Sequence, residues 1–209
     1  MMTAIRIRSV SAPFDRPLLL GPAIDLVRRA DAVGLLPGTD PVERLDMALV
    51  RRVAEEASAV GVGLSAAVGI LGRPGTDERL ASLLRQLDEA MSASPLPEQE
   101  LRVLAAVFDV DSLARLSGAS AVSLRRYTSG ARRVPDAVAE RLHWLALVVG
   151  DLLGAYNAVG VRRWFERART PLDGRRPSDI LRGDWRCDDP GVDRVRLMAA
   201  ALAGAGSAT

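Results

Sequence analysis

The sequence predicts an all-α protein, and two observations indicate this fold class. Apolar residues recur at helical spacing through most of the chain, whereas strand-like alternation is confined to AIRIRSV at residues 4–10. That stretch is too short and solitary to build a sheet without partners. With 209 residues, of which 48% are apolar, the chain can bury the core of one large domain or two small ones.

The N-terminal part, to about residue 94, contains two amphipathic patterns, PVERLDMALVRRVAEEA at 41–57 and DERLASLLRQLDEAM at 77–91. Both predict helices with one apolar face. The faces consist of Val42, Leu45, Met47, Leu49 and Val53 in the first, and Leu80, Leu83, Leu84 and Leu87 in the second. GVGLSA at 61–66 matches a dinucleotide-binding pattern, but a helical segment precedes it instead of a strand, so we interpret it as close helix packing.

Two stretches predict boundaries along the chain. MSASPLPEQE at 91–100 clusters Ser, Ala and Pro between two helical patterns, and RARTPLDGRRPSD at 167–179 is rich in turn residues. We therefore expect three parts: a helical region of unassigned role at 1–94, a central domain at 96–157 and a small C-terminal helical domain at 158–209.

The positive charge of the chain is concentrated in one stretch. The net charge is only +2, yet no Asp or Glu occurs between Asp111 and Asp136. Five arginines lie in that window, namely Arg115, Arg125, Arg126, Arg132 and Arg133. A contact with nucleic acid would therefore be local and would involve this stretch.

The central sequence VDSLARLSGASAVSLRRYTSG, residues 110–130, has the pattern of a helix-turn-helix. Gly118 permits a tight turn and Ser120 can cap the second helix, while Leu116, Leu124 and Tyr127 would fill the wedge between the helices. The predicted DNA-contacting residues are Ser120, Ala121, Val122, Ser123, Arg125 and Arg126, with Arg132 and Arg133 on the DNA backbone. A helical hairpin with solvated arginines remains an alternative.

Residues 96–209 resemble a known family in two places. LARLSGASAVSLRRYTSGARRVP is similar to the helix-turn-helix of Xre-type regulators, and VGVRRWFERARTPLDGRRPSDILRGD resembles the C-terminal domain of the Xre/MbcA/ParS antitoxins. Residues 136–157 would form the linking helix. The matching positions are Ala114, Gly118, Ser120, Leu124, Tyr127 and Gly130 in the first segment, and Trp164, Pro171, Gly174, Pro177, Ile180 and Leu181 in the second.

This resemblance implies an antitoxin-like regulator that binds its own operator and blocks the active site of a toxin, typically a RES-domain enzyme acting on NAD. The predicted partner-binding residues are Trp164, Arg175, Arg176, Val195, Leu197, Met198 and Leu202. We expect a homodimer, with a seam in the helix 136–156 or in the N-terminal part, because one helix-turn-helix covers only a half-site. A stand-alone helix-turn-helix transcription factor and a helical adaptor that does not bind DNA remain alternatives.

The sequence offers little for catalysis, metal binding or a cofactor, and we expect none of the three. His143 is the single histidine and lies in an apolar helix, which favours a packed or interfacial residue. Cys187 is the single cysteine, and Asp188 and Asp189 beside it would raise its pKa. The stripe of Trp144, Leu147, Val148 and Leu152 indicates a core or a dimer seam.

The sequence also predicts a cytoplasmic protein without a membrane partner. The N-terminal residues lack the apolar core of a signal peptide. The longest uncharged stretch, residues 57–72, has 16 residues and is shorter than the roughly 20 that a membrane span needs.

Overall fold

Helices make up 67% of the structure, a computed structural model that describes residues 5–36, 42–73 and 75–205. The one sheet within these residues has two strands. The all-α prediction is therefore confirmed. The chain divides into two units, Met1–Pro95 and Leu96–Thr209, and the division falls inside the predicted boundary at 91–100.

The described residues of the N-terminal unit form four helices and the small sheet. Helix α1 packs on α4, and α3 packs on both α2 and α4. The elements are β1 (Ile5–Val10), α1 (Pro17–Ala32), β2 (Val42–Leu45), α2 (Met47–Ala59), α3 (Leu64–Leu71) and α4 (Asp77–Ala93).

The start of the first predicted helix is wrong, because Val42 and Leu45 lie in a strand. This strand, β2, pairs in parallel with β1, so that Ile5 faces Val42 and Val10 faces Leu45. Helix α2 begins only at Met47, since the side chain of Asp46 accepts a hydrogen bond from the Leu49 N–H at 2.9 Å and caps the helix. The partner of β1 therefore comes from a segment whose apolar spacing is also compatible with a helix.

Two glycines allow α3 to pack closely on α4. A Cβ atom at Gly63 would lie 2.7 Å from Cδ1 of Leu87, and one at Gly69 would lie 2.7 Å from Cδ2 of Leu83. Both distances are too short for carbon atoms that are not bonded. The interpretation of GVGLSA as a site of close helix packing is confirmed.

The C-terminal unit is built around one long buried helix, α8. Its residues from Leu142 to Val149 are all buried, and α5, α6, α9 and α11 pack against it. The elements are α5 (Pro97–Val107), α6 (Val110–Ser117), α7 (Ala121–Thr128), α8 (Asp136–Leu153), α9 (Ala158–Glu166), a 3₁₀ turn (Thr170–Leu172), α10 (Pro177–Ile180) and α11 (Pro190–Ala205).

Because the central residues of α8, from Leu142 to Val149, are all buried against helices of both segments, the segments expected as separate domains at 96–157 and 158–209 share one core within this unit. The stripe of Trp144, Leu147, Val148 and Leu152 belongs to that core. The expectation that the helix 136–156 supplies a dimer seam is therefore corrected, since its apolar residues are covered by the unit itself.

Trp185 connects α6, α8 and the loop before α11. Its indole Nε1–H donates a hydrogen bond to the carbonyl of Leu116 at 2.8 Å, and its ring meets Trp144 edge-on with 5.1 Å between centroids. The Arg141 Nε–H donates to the Trp185 carbonyl at 2.8 Å. This buried indole therefore joins the predicted DNA-binding helices to the C-terminal segment.

Within the described ranges, no single helix is long and apolar enough to cross a membrane. The one pair of helices that meets the length and hydropathy requirement jointly, α8 with α9, is bent by 115°. The same ranges contain no group of three or more His, Cys, Asp or Glu side chains placed to hold a metal ion.

Candidate functional site

The turn between α6 and α7 has the geometry that the sequence predicts. Helix α6 ends at Gly118, which has a φ of 71°, and the Ser120 hydroxyl accepts a hydrogen bond from the Ser123 N–H at 3.1 Å. Asp109 caps the start of α6 in the same way, by accepting from the Ser112 N–H at 2.8 Å. The start of each helix and the end of α6 are therefore specified by local residues, as in a helix-turn-helix.

The wedge between α6 and α7 is apolar. Leu116, Leu124 and Tyr127 are all buried, as the helix-turn-helix interpretation requires, and the Thr128 hydroxyl donates back to the carbonyl of Leu124 at 2.9 Å. Helices α5 and α8 support the pair from behind. The outer side of α7 is consequently held on a rigid base.

The outer side of α7, with the residues that flank it, forms a basic surface that we call the α7 face. Val122 is 61% exposed, Arg125 and Arg126 are exposed, and within the described residues neither arginine takes part in an ion pair. The α7 face comprises Ser120, Ala121, Val122, Ser123, Arg125, Arg126, Arg132 and Arg133.

The two arginines after α7 are also exposed. The Arg132 guanidinium lies 5.9 Å from the centroid of the Tyr127 ring, which orients the side chain by a cation–π contact. Arg133 lies 3.9 Å from the carboxylate of Asp136, but both side chains are more than 90% exposed, so this pair contributes little. Both charges remain available to a partner.

Two of the predicted partner-binding residues are buried, and the prediction is wrong for them. Trp164 is 2% exposed and Val195 is fully buried. The Trp164 ring contacts Phe165 edge-on, and the Arg169 guanidinium lies 5.0 Å from the Trp164 ring centroid. Val192, Val195 and Ala199 lie three and four residues apart, so they share one face of α11, and this face is buried in the core.

The other predicted partner-binding residues reach the surface. Leu197 is 62% exposed, Met198 and Leu202 are half-buried, and Arg175 and Arg176 are exposed. Arg194 Nη1 contacts the Asp173 carboxylate at 3.1 Å, which ties α11 to the loop that carries the two arginines. A partner surface would therefore combine this loop with the outer side of α11.

The histidine is a packed residue, as expected. His143 is buried in α8, and its Nδ1 lies 2.6 Å from Oε1 of Glu100, which is fully buried on α5. Sequence reasoning missed Glu100. The available signal was its position among Leu101, Val103 and Leu104 on the apolar side of a helix.

The cysteine has a raised pKa, as predicted, although the main cause differs. Burial raises the pKa of the Cys187 thiol, and the carboxylate of Glu140 raises it further. Asp188 contributes least. The Sγ atom lies 3.8 Å from the Glu140 carbonyl.

A cleft of about 360 Å³ lies between α6 and the segment α9–α10, and sequence reasoning did not predict it. It brings together Arg115, Arg162, Arg176 and Arg182, which are far apart in the sequence. We call this site the arginine cleft.

Comparison with known proteins gives no match for this chain among family models, curated proteins or solved structures. Its function must therefore be inferred from its own residues and geometry.

Proposed function

We propose that the chain is an antitoxin-like regulator that binds operator DNA through the α7 face and blocks a toxin enzyme with its C-terminal segment. The observation that carries this proposal is the turn from α6 to α7. It unites a glycine at positive φ, a serine cap, a buried wedge and two exposed arginines that form no ion pair with any residue that the structure describes. In this mechanism the chain itself performs no catalysis.

The α7 face has the composition and exposure that a DNA contact requires. The N-terminal end of a recognition helix approaches base edges in the major groove, which would bring Ser120 and Val122 close to the bases. Arg125 and Arg126 would contact base edges or phosphates, while Arg132 and Arg133 would contact the sugar–phosphate backbone. The phosphate contacts would supply most of the affinity, and they would make it depend on salt.

Obstruction of a toxin would use the loop at 170–176 and the outer side of α11. Leu172 and Leu181 are fully buried and hold this loop and the end of α10 on the core. A surface that is already ordered loses less conformational entropy on binding. Arg175 and Arg176 would meet acidic groups of the toxin, and Leu197 would be the main apolar anchor.

We infer that the regulator is a homodimer, since specific operators are usually recognised by two copies of a helix-turn-helix. Because α8 is covered within its own unit, the seam would lie in the N-terminal unit. Leu64 and Val68 support this placement, since they are exposed at 52% and 65% and are one turn apart on α3.

A second candidate, a stand-alone helix-turn-helix transcription factor, is favoured by one observation. Burial of Trp164 and Val195 removes two apolar anchors from the surface that a toxin would contact. A helical adaptor that does not bind DNA would instead use both basic surfaces for protein contacts. The toxin interaction therefore needs a direct test.

The experiment is co-expression of the full chain with the product of the adjacent reading frame, followed by a growth assay and co-purification. Wild-type protein is expected to rescue growth and to co-purify with the toxin. Leu197→Glu should lose both properties, because it places a charge at the exposed centre of α11. Val159→Glu is the matched control, since Val159 is also an exposed aliphatic residue but lies on α9.

Two outcomes would count against the toxin interaction. A neighbouring product that neither inhibits growth nor co-purifies would favour the stand-alone regulator. Equal loss of rescue by Leu197→Glu and Val159→Glu would mean that α11 is not the contact surface.

A further inference from the structure

The arginine cleft concentrates positive charge in a concave site. Four arginines line it, namely Arg115 from α6, Arg162 from α9, and Arg176 and Arg182 on either side of α10, against the carboxylates of Glu166 and Asp179. The lining therefore has a formal excess of two positive charges. A concave site with a net positive charge attracts anions more strongly than a flat surface of the same charge does.

Among the described residues, three of the four guanidinium groups have no carboxylate partner. In this set only Arg176 pairs with a carboxylate, that of Glu166, at 3.6 Å. Arg115 donates to the Ser112 hydroxyl at 2.9 Å, and Arg162 donates to the Val107 carbonyl at 2.6 Å. Within the described residues, Arg115, Arg162 and Arg182 have no carboxylate within ion-pair distance.

The hydrogen bonds that these arginines make also orient them. A guanidinium has five N–H donors in a fixed plane, so one bond to a hydroxyl or a carbonyl leaves the other donors available for a ligand. Arg162 is held from the last turn of α5, and Arg115 is held within α6. Two guanidinium planes oriented by hydrogen bonds in this way can present paired donors to an oxyanion.

The inner wall of the cleft is aromatic. Phe108 and Phe165 meet edge-on with 5.4 Å between ring centroids, and both belong to the lining. The volume of about 360 Å³ lies within the range of small-molecule sites, roughly 300–1,000 Å³. Charged residues outnumber apolar ones in the lining, so the cleft is more polar than most small-molecule sites and suits a charged ligand.

We propose that the arginine cleft binds a small phosphate-bearing anion of up to nucleotide size. Its phosphate groups contact Arg115, Arg162 and Arg182, and an attached apolar or aromatic part lies toward Phe108 and Phe165. The site is separate from the α7 face and from the outer side of α11, and it shares Arg176 with the loop proposed to contact a toxin. Because its walls come from both α6 and the segment α9–α10, the bound anion contacts both of these parts of the C-terminal unit.

The test is isothermal titration of the full-length chain with pyrophosphate at low ionic strength, and then with adenosine monophosphate. Wild type is expected to bind one equivalent per chain. Arg115→Gln/Arg182→Gln should weaken binding about tenfold or more, because it removes two charge-assisted hydrogen bonds to the anion. Arg163→Gln/Arg167→Gln is the matched control, since it removes two exposed arginines of the same region that do not line the cleft.

The two arginines replaced in the cleft are exposed, so the thermal unfolding midpoint of that variant should stay within about 2 °C of wild type. Equal weakening by both double variants would mean diffuse charge attraction and would overturn the proposal. Absence of pyrophosphate binding to wild type would also overturn it. If wild type did not bind pyrophosphate and Arg115→Gln/Arg182→Gln bound operator DNA more weakly than wild type, the cleft would contact DNA phosphates instead.

Discussion

At the residue scale, Gly118 and Gly130 have nearly the same φ but differ in the space around them. Substitutions at the two positions therefore separate the cost of the left-handed backbone from the cost of a steric collision. Gly118 has a φ of +71° and Gly130 has a φ of +70°. A Cβ atom at Gly118 would lie 2.5 Å from Nη1 of Arg141 and 2.9 Å from the Gly183 carbonyl oxygen, whereas nothing lies within 4 Å of one at Gly130. A side chain at position 118 would therefore collide with neighbouring atoms, whereas one at position 130 would not.

We therefore expect Gly118→Ala to destabilise the C-terminal unit more than Gly130→Ala. The left-handed conformation costs each alanine about 1–2 kcal/mol. At position 118 the collision with a backbone oxygen should add roughly 1–2 kcal/mol. The free energy of unfolding from urea titration measures both, and equal losses would show that the turn has room for a side chain.

Asp31, near the C-terminal end of α1, gives a prediction about pH. Burial raises the pKa of Asp31 from 3.8 to about 7 in the folded protein. The protonated form is therefore favoured on folding. This contribution to stability is fully present below pH 4, and it is lost as the pH rises through 7.

Asp31→Asn should imitate the protonated carboxyl. The variant and the wild type are expected to be equally stable near pH 4, and the variant should be more stable by up to about 4 kcal/mol at pH 8. Urea denaturation at both pH values measures the difference. A stability difference that does not change with pH would show that Asp31 titrates normally.

At the scale of elements, the sequence predicts those parts of the site that depend on local signals. Gly118 and the Ser120 cap mark the turn because the positive φ of Gly118 and the hydrogen bond from the Ser123 N–H to Ser120 are local features. The pairing of β2 with β1 depends on residues distant in the sequence, so local spacing alone predicts a helix at Val42 and Leu45. Arginines beside aromatic residues predict a partner contact at Trp164, and the few large apolar residues of an alanine-rich helix predict one at Val195, but neither shows which way a side chain points.

Trp185 also depends on residues distant in the sequence, and it allows a test of how α6 is held. Trp185→Phe should cost about 1 kcal/mol, because it removes the hydrogen bond to Leu116 but keeps most of the ring. Trp185→Ala should cost about 3–5 kcal/mol, because it also leaves a cavity against Trp144. Thermal unfolding followed by circular dichroism gives both values, and a small loss for Trp185→Ala would show that the indole does not hold the unit together.

At the scale of the whole molecule, the division between Pro95 and Leu96 separates the proposed activities from the N-terminal unit. We expect the full chain to be a dimer by light scattering at micromolar concentration. Leu64→Glu/Val68→Glu should convert it to a monomer, because both side chains are exposed on α3 and a buried charge opposes association. A wild-type protein that is monomeric both alone and with DNA would rule out the dimer.

The measurement that tests the central proposal most directly is a salt titration of binding to the promoter region of the chain's own gene, followed by fluorescence anisotropy. Wild type should bind specifically, and Arg125→Ala/Arg126→Ala should weaken binding and reduce the log–log salt slope by about 0.9 for each phosphate that is no longer neutralised. Arg163→Ala/Arg167→Ala, which removes two exposed arginines outside the α7 face, should leave affinity and slope unchanged. If the α7 double variant bound the promoter with the affinity and slope of the wild type, the assignment of the α7 face to DNA would be contradicted.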